Sequence, residues 1–506
     1  MHRTEPLDDV LSFLITIGSP ALAAYSLQIT HLNARWITTA FSDVKYPNSK
    51  HISTVLSAFH HVPIQISRRP PLLHSLIVLH ENDEFWSHLF KAVKKTRRWS
   101  IPLVVNFVLV IFAVFLTILD AVYSPRPGDI GYAIVATWTF LLPLIIGWLQ
   151  VGCEPEPHHL KDSLAAANQK AWVATGQRGQ PVNHPPAIEF TKADEMDLAR
   201  RDEFRTTPVF NYSRAFVSPL AAELVLGLVK NAAANAEQRI PLGTIVGGGV
   251  PVWVEGEGNT IHEENRIGTD AEVIDYCTRV LPQPGSNSSS ATQLDTHPPE
   301  TTGIPDPPLP LHGPRPVTQA PSLWATGIWK RVAVSAALAL GLQWGTVGAA
   351  VLINYVVPPA GMGCRALSFL LYCVAGTTSF FLFLASSVLA HMSRLYHGQR
   401  YEPGRLWLRD CQIVGAIVCR WLGKSVAILS AVGILVVCSF QVTGAFDNCF
   451  CSSTTFDNGR DSVTFQTLNN VIEPYISRVW IGGFAMTFST AVLFGLSICL
   501  TTPRRR

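Results

Sequence analysis

Residues 101–123 read IPLVVNFVLVIFAVFLTILDAVY, and residues 130–152 read IGYAIVATWTFLLPLIIGWLQVG. Each run is 23 residues long. As an α-helix, a run of this length measures about 34 Å, which is enough to cross a hydrocarbon core about 30 Å thick. Only the turn sequence SPRPGD, at 124–129, separates the two runs. The stretch therefore predicts an antiparallel transmembrane hairpin, and we place the rest of the chain relative to it.

Five further apolar runs lie outside the hairpin. The whole chain of 506 residues is 48% apolar and only 15% charged, which is unlike an ordinary soluble protein. We predict an all-α membrane protein, a polytopic helical bundle of about seven transmembrane helices with a large, partly disordered cytosolic loop. The five further runs are residues 10–28, 332–357, 367–390, 421–440 and 479–500.

The first of these runs has two interpretations. Pro20 lies in its middle and would kink a helix, which membrane helices tolerate. A cleaved signal peptide is the alternative, because Ala21 and Ala23 match the small residues of a cleavage site. The region before the run carries Glu5 and Asp8, however, whereas a signal peptide carries positive charge there. We favour a retained span.

The apolar runs and the composition divide the chain into seven segments. Eleven prolines lie within residues 282–321, a composition that cannot bury enough apolar surface to order itself. The predicted segments are an N-terminus with the first span (1–32), a basic cytosolic segment with an amphipathic helix (33–100), the hairpin (101–152), a cytosolic loop domain (153–281), a Pro/Ser-rich disordered linker (282–331), four spans with short loops (332–500) and a basic tail (501–506).

The distribution of lysine and arginine predicts the orientation in the membrane. With seven spans, one side receives 23 of these residues in its short loops and loop ends, and the other side receives five. Because cytosolic segments carry the excess of positive charge, we expect the N-terminus outside or in a lumen and the C-terminus in the cytosol. The membrane is a plasma membrane or an endomembrane. Two glycosylation sequons, at Asn211 and Asn287, fall in the cytosolic loop and oppose this prediction.

A basic amphipathic helix is predicted immediately before the hairpin, within residues 81–99. Its apolar residues, including Phe85, Trp86 and Leu89, recur at helical spacing. Its second half is strongly basic and could contact anionic lipid headgroups, although the same charges could simply fix the orientation of the hairpin. The basic residues are Lys91, Lys94, Lys95, Arg97 and Arg98.

Cysteines and glycines in the second half of the chain provide two structural hypotheses. Cys364, Cys449 and Cys451 fall on the outer side, where an oxidising compartment would permit a disulfide from Cys364 to one of the other two. Unpaired thiols are the alternative. Gly341 and Gly345 are four residues apart in one span and could allow another helix to approach closely.

Residues that carry out chemistry are scarce. Among the predicted spans, charge is confined to positions near their ends, such as Asp120 and Lys424, and we expect the Lys424 ammonium to snorkel to the headgroups. There is no nucleophile elbow, phosphate-binding loop, dinucleotide fingerprint or His-Glu-x-x-His motif. We assign no catalytic, cofactor-binding or metal-binding residues and expect no cofactor.

Several short stretches resemble a group of uncharacterised fungal multi-pass membrane proteins. The resemblance covers residues 10–155 best and implies a fungal source and a retained first span. It brings no activity, cofactor or site residue. The matching stretches are SPALAAYSL at 19–27, VPIQI at 62–66, SLIVL at 75–79, ENDEFW at 81–86, RWS at 98–100 and LPLIIGWLQ at 142–150.

We interpret the chain as an integral membrane protein without enzymatic activity, acting as a scaffold, sensor or regulatory component. A transporter or channel with a neutral pathway is the alternative. A membrane-embedded transferase is disfavoured by the lack of inward-facing acids and histidines, and a seven-helix receptor rests on topology alone. The expected partners are the lipid bilayer, anionic headgroups and proteins that bind residues 153–331. A net charge of +3 gives no reason to expect nucleic acid.

Overall fold

The structure, a computed structural model, describes most of the chain, and the structural statements below refer to these residues. The first run of the predicted hairpin and the proline-rich stretch at 282–321 lie outside them. The described residues are 5–58, 60, 64–66, 71–95, 131–151, 157–183, 188–190, 198–205, 207–242, 252–257, 260–279, 323–356, 361–395, 403–443, 446 and 469–502.

The described chain is overwhelmingly helical. Its α-helices are α1 (Glu5–Gly18), α2 (Pro20–Phe41), α3 (Ser49–Ala58), α4 (Leu72–Val78), α5 (Asp83–Lys95), α6 (Gly131–Trp138), α7 (Leu141–Val151), α8 (Pro157–Asn168), α9 (Val217–Glu237), α10 (Asp270–Thr278), α11 (Ile328–Val356), α12 (Cys364–Leu395), α13 (Pro403–Val442) and α14 (Asn469–Thr501). Short 3₁₀ helices cover His80–Asn82, Leu198–Phe204, Pro208–Arg214 and Glu263–Arg266.

Strands are few and short in this part of the chain. They are β1 (Ile64–Ile66), β2 (Trp172–Val173), β3 (Val182–Asn183) and β4 (Ile188–Phe190). β1 pairs antiparallel with β4, and β2 pairs antiparallel with β3. Two-stranded pairs of this size cannot build a core by themselves. The predicted all-α fold class is confirmed.

Five of the described helices, α9 and α11–α14, are long and apolar enough to cross a membrane. The four apolar runs predicted in the C-terminal half coincide with parts of α11, α12, α13 and α14, except for residue 357, which lies outside the described residues. The number rises to six if the bent pair α1–α2 is taken as one crossing. These counts rest on the length and composition of the described helices, so the prediction of seven spans stays a prediction.

The bundle formed by the long helices is apolar outside and partly polar inside. The side chains of Leu371, Leu429 and Leu493 face outward and are 60%, 71% and 62% exposed. Gln343 and Ser379 are buried between helices instead. Helices in lipid use small and polar side chains for mutual contact and turn apolar side chains outward. The distribution is compatible with an integral membrane location.

The helix α9 passes the same length test but packs into a separate core. Its residues Val225, Leu226 and Val229 are buried in one core with residues of α5 and α8, and α9 packs directly against α3, α4, α10 and α2. Asn235 of α9 also donates to the carbonyl of Tyr276 in α10, at 2.8 Å. We call the unit that shares this core, formed by the described residues of 36–95, 157–190 and 217–279, the peripheral domain. Its core explains why α9 is apolar.

One end of the bundle faces the peripheral domain. Arg35, in the second half of α2, donates to the carbonyl of Leu500 near the end of α14, at 3.0 Å. His391, near the end of α12, lies 3.0 Å from the carbonyl of Leu323, just before α11. The start of α11 and the ends of α12 and α14 therefore lie at this end. We call it the loop side and the opposite end the far side.

The predicted first span is not one straight helix. α1 and α2 meet at Ser19 and are bent by 103°. Pro20 begins α2, where its missing N–H leaves no helical bond unmade. Every residue from Pro20 to His31 is buried, so α2 is the central helix of the bundle. The alternative of a signal peptide would remove part of this helix, including Ala21 and Ala23.

The second hairpin run is also interrupted. α6 ends at Trp138 and α7 begins at Leu141. Pro143 lacks the N–H that would bond to the carbonyl of Thr139 in a continuous helix, which explains the break there. Among the described residues, 133–148 form a shorter apolar helix.

Candidate functional site: a buried charge network

A segment of the large loop lies inside the bundle rather than on its surface. We call residues 198–205 and 207–216 the inserted segment; it consists of the 3₁₀ helices Leu198–Phe204 and Pro208–Arg214 and the two residues before α9. Phe210 and Tyr212 are buried in the same core as α2, α12 and α13. The Tyr212 ring contacts that of Phe383, with centroids 5.0 Å apart. The segment is thus a packed part of the bundle.

Polar side chains of the long helices satisfy the backbone of the inserted segment. Ser26 of α2 donates to the carbonyl of Val209 at 2.8 Å. Ser387 of α12 donates to the carbonyl of Tyr212 at 3.1 Å. Irregular backbone at membrane depth is tolerated only where protein or water satisfies it. The hydrogen bonds from Ser26 and Ser387 satisfy two carbonyls of the inserted segment in this way.

Asp202 is the centre of the charge network and is only 2% exposed. Lys424 of α13 donates to its Oδ1 at 2.5 Å, and the Tyr212 hydroxyl donates to its Oδ2 at 2.6 Å. A lone buried carboxylate would be strongly unfavourable, so these donors are what allow Asp202 to remain charged. The expectation that Lys424 reaches the headgroups is wrong. α13 begins at Pro403, well before the predicted start at 421, and Lys424 lies in mid-helix.

Two further ion pairs connect the inserted segment to the bundle. Arg205 contacts Asp8 of α1 at 2.8 Å and also lies 3.6 Å from Asp202. Glu203 is paired with Arg394, near the end of α12. Successive residues of one 3₁₀ helix therefore bind α13 and α12, while Arg205 binds α1. The segment ties three helices together.

Arg214 organises the fold of the inserted segment itself. Its guanidinium donates to the carbonyls of Glu203 at 2.8 Å and Arg205 at 2.7 Å. It also donates to Asn211 Oδ1 at 2.6 Å and to the carbonyl of His60 at 3.0 Å. The planar guanidinium has five donors, so one side chain can hold two 3₁₀ helices and the peripheral chain together.

Burial and neighbouring charges set the protonation states in this network. Burial alone would raise the pKa of Asp202, but the Lys424 ammonium, the Arg420 guanidinium and the two hydrogen bonds outweigh it and lower that pKa. Burial and the charge of Asp202 raise the pKa of Tyr212 well above its usual value. Burial, followed by the charge of a nearby guanidinium, lowers the pKa of His60 to about 3. Asp202 is thus anionic, and Tyr212 and His60 are neutral.

The sequon at Asn211 is buried within this site. Asn211 is completely buried, and its Nδ2 donates to Thr30 Oγ1 at 3.2 Å. A glycan on that nitrogen would remove this bond and could not fit in the core. The sequence-level objection from Asn211 to a cytosolic loop therefore does not hold in this fold. The second sequon, at Asn287, lies outside the described residues.

The predicted basic helix exists as α5, Asp83–Lys95. Its apolar residues Phe85, Trp86 and Leu89 are buried in the core of the peripheral domain, and Lys91 is exposed. The side chains of Lys94, Lys95, Arg97 and Arg98 are outside the described part of the structure. Contact with anionic lipid stays a prediction.

The predicted cysteine and glycine sites have different outcomes. Cys364, the first residue of α12, is disulfide-bonded, and its partner lies outside the described residues, as do Cys449 and Cys451. A β-carbon placed on Gly345 would lie 2.3 Å from Thr490 of α14, so that glycine allows close helix contact. The corresponding position on Gly341 meets nothing within 4 Å. The close approach is therefore made by Gly345 and not by the pair.

Sequence reasoning missed most of the charge network. Asp202, Arg205 and Tyr212 were absent from the candidate residues because they lie in a polar loop far from any predicted span. The one available signal was Lys424, a charge within an apolar stretch, which indicates a buried partner as readily as snorkelling. No protein-family model, curated protein or solved structure matches the chain. The functional argument therefore rests on the geometry of the network.

Proposed function

We propose that this chain is a non-enzymatic regulatory or sensor protein of a membrane, in which the inserted segment couples the peripheral domain to the helix bundle. The observation that carries the proposal is the buried Asp202–Lys424 pair, completed by the Tyr212 hydroxyl. It joins a loop residue to the middle of a helix that is long and apolar enough to span a membrane. The network positions the inserted segment and holds it in the bundle, and the described residues contain no group of three or more His, Cys, Asp or Glu side chains that could hold a metal ion.

The buried pair favours two discrete positions of the inserted segment, docked in the bundle or fully withdrawn, over intermediate positions. Removing one partner of a buried ion pair costs about 3–5 kcal/mol, because the other charge stays buried without compensation. Partial withdrawal of the inserted segment would leave Lys424 buried without its partner. Full withdrawal would instead let water reach Lys424 in the space that the segment leaves. Such an element is bistable. A ligand of the peripheral domain would shift it only by binding one state more tightly than the other.

The inserted segment is well placed to receive a signal from the peripheral domain. Its last residue, Phe216, is followed directly by α9. The guanidinium of Arg214 bonds to His60, which belongs to the chain between α3 and α4. Glu223 of α9 accepts a hydrogen bond from the backbone of Thr326, at 3.2 Å, beside the start of α11. Movement of α9 would therefore act on both the segment and the bundle.

We place the peripheral domain and the C-terminus in the cytosol. The excess of lysine and arginine on the loop side supports this orientation. The disulfide of Cys364, at the far-side end of α12, also supports it because disulfides persist in oxidising compartments. In this orientation Lys91 and its basic neighbours could meet anionic headgroups. Protein partners would bind residues 153–331.

The proposal is tested by uncoupling the network in cells that lack the endogenous protein. Complementation with wild type and with Lys424→Gln is compared at equal membrane abundance, with proximity labelling from an enzyme fused within residues 282–321. We expect Lys424→Gln to change both the phenotype and the set of labelled proteins. Lys230→Gln, an exposed position on α9, is the matched control. Unchanged phenotype and labelling in Lys424→Gln, with the segment shown to be released, would contradict the proposal.

A transporter or channel with a neutral pathway is the second candidate. The observation that favours it is the helix break at Ser19, because interrupted helices form substrate sites in many transporters. The side chains at the break are neutral: Ser19 Oγ bonds to the Gly376 carbonyl at 2.9 Å, and Gln343 accepts from the Ala21 N–H at 2.9 Å. Solute flux into liposomes that contain the purified chain would support this candidate. Its absence, with a changed labelling pattern in Lys424→Gln, would favour regulation.

A further inference from the structure

The depth of the α1–α2 break can be measured against α11. The N–H of Ala21 donates to Gln343 Oε1 at 2.9 Å, and Asn33 Oδ1 accepts from Arg331 Nε at 2.8 Å. Twelve residues separate the two contacts on each helix, so α2 runs antiparallel to α11 in register. Gln343 lies near the middle of Ile328–Val356. The start of α2 is therefore at mid-bundle, and its other end leads to the loop side.

Two other long helices give the same depth for the break. Ser19 Oγ donates to the carbonyl of Gly376, which lies well inside Cys364–Arg394. A β-carbon on Gly18 would lie 1.8 Å from the carbonyl oxygen of Ala427, which lies well inside Leu406–Phe440. Residues 18–21 are thus held between the middles of α11, α12 and α13. α2 covers only the loop-side half of the bundle.

The course of α1 shows where the chain before the break goes. The axes of α1 and α2 differ by 103°. Followed backward from the break, α1 therefore runs nearly perpendicular to α2 and slightly toward the loop side. Asp8, near its start, is paired with Arg205 of the inserted segment at 2.8 Å. That segment enters from the loop side, and its Asp202 is bonded to Lys424, one turn nearer the loop side than Ala427. Asp8 consequently lies no farther toward the far side than the break itself.

A crossing at this position would require a different geometry. A helix of 14 residues is about 21 Å long and could reach the far side only by continuing along the axis of α2. Asp8 would then lie near the far-side headgroups and could not contact a residue of the large loop. The observed bend and the observed ion pair both exclude that arrangement for the described residues.

We propose that α1 and α2 form a re-entrant pair, so that the N-terminus lies on the same side of the membrane as the large loop and the C-terminus. The crossings would then be the two hairpin runs and α11–α14, six in all. This reverses the predicted position of the N-terminus but leaves every later segment in place. It also moves Arg3 to the basic side, so the lysine and arginine distribution changes from 23 against five to 24 against four.

The position of the N-terminus is tested with one acceptor peptide for N-glycosylation in three full-length proteins. The peptide is attached before residue 1, attached after residue 506, or inserted at residue 460. We expect the two terminal peptides to have the same glycosylation state, and the peptide at 460 to have the opposite one. An N-terminal peptide that is modified in common with the one at 460, and unlike the C-terminal one, would overturn the proposal.

A second measurement avoids any effect of the added peptide on insertion. Asp8→Asn, Arg205→Gln and the double variant are solubilised as full-length protein, and trypsin cleavage after Arg214 is followed by mass spectrometry. If α1 begins beside the inserted segment, each single variant raises cleavage several-fold and the double variant adds little to the larger single effect. Asp9→Asn, at the exposed next position, is the control. Independent effects that multiply in the double variant would place Asp8 away from Arg205 and reject the re-entrant pair.

Discussion

Asp202→Asn is expected to release the inserted segment from the bundle. The substitution leaves the Lys424 ammonium buried, 9% exposed, without its anionic partner. Stranding one member of a buried pair costs about 3–5 kcal/mol, which corresponds to roughly a hundredfold to several-thousandfold more of the released state. The increase in the released state is limited by the stability of the whole protein, because a larger destabilisation would unfold the entire chain. Trypsin cleavage after Arg214, which is buried in the docked segment, reports the released population.

The double variant Asp202→Asn with Lys424→Gln separates electrostatics from simple loss of packing. With both charges removed, the two amides can bond to each other, so we expect less cleavage than in either single variant. Glu255→Gln is the matched control, because the Arg239–Glu255 pair is solvent-exposed and such pairs contribute at most about 1 kcal/mol. Equal cleavage in wild type and Asp202→Asn would refute the reasoning, as would a double variant in which the single effects multiply.

Three further predictions concern other parts of the fold. Gly345→Ala should lower stability by about 1–3 kcal/mol because its β-carbon would overlap Thr490, whereas Gly341→Ala should cause no loss; thermal unfolding in detergent compares them. Since the pKa of His60 is lowered to about 3, stability should fall as pH drops below about 6.5, by about 2 kcal/mol at pH 5 from this residue. Cys364→Ser should increase by one the number of thiols that react with maleimide in the denatured, unreduced protein.

Each of these predictions has a distinguishing control. The pH effect is measured as the difference between pH 7.5 and pH 5, and His60→Gln should show a smaller difference than wild type. An identical difference in both proteins would contradict the buried neutral histidine. A loss of one reactive thiol in Cys364→Ser would mean that Cys364 is free. Equal stability of the two glycine variants would contradict the close contact of α11 with α14.

The long apolar helices were predictable because length and composition are local properties. A run of twenty or more apolar residues has few alternatives to a spanning helix, and α11–α14 contain all but residue 357 of the four runs predicted there. The amphipathic helix α5 was predictable for a similar reason, since Phe85, Trp86 and Leu89 recur at helical spacing. In each case the necessary information lies within one helix.

The same local information was insufficient for α9 and for the first run. α9 is apolar enough to span a membrane, but it packs against a core formed by elements on both sides of the hairpin in sequence. Pro20 signalled a kink in the first run, but a proline does not specify the direction of the chain before it. That direction depends on the contact of Gly18 with Ala427 and of Asp8 with Arg205.

The sequence by itself determined that this protein is helical, that its C-terminal half consists of long apolar helices and that Lys424 is an unusual charge within one of them. Only the tertiary structure decided that Lys424 binds Asp202, a residue 222 positions earlier in the chain. The physical reason is that burying a charge requires a partner but does not specify one. The partner is chosen by packing, which brings a polar loop segment into the bundle and aligns its acids with the available bases.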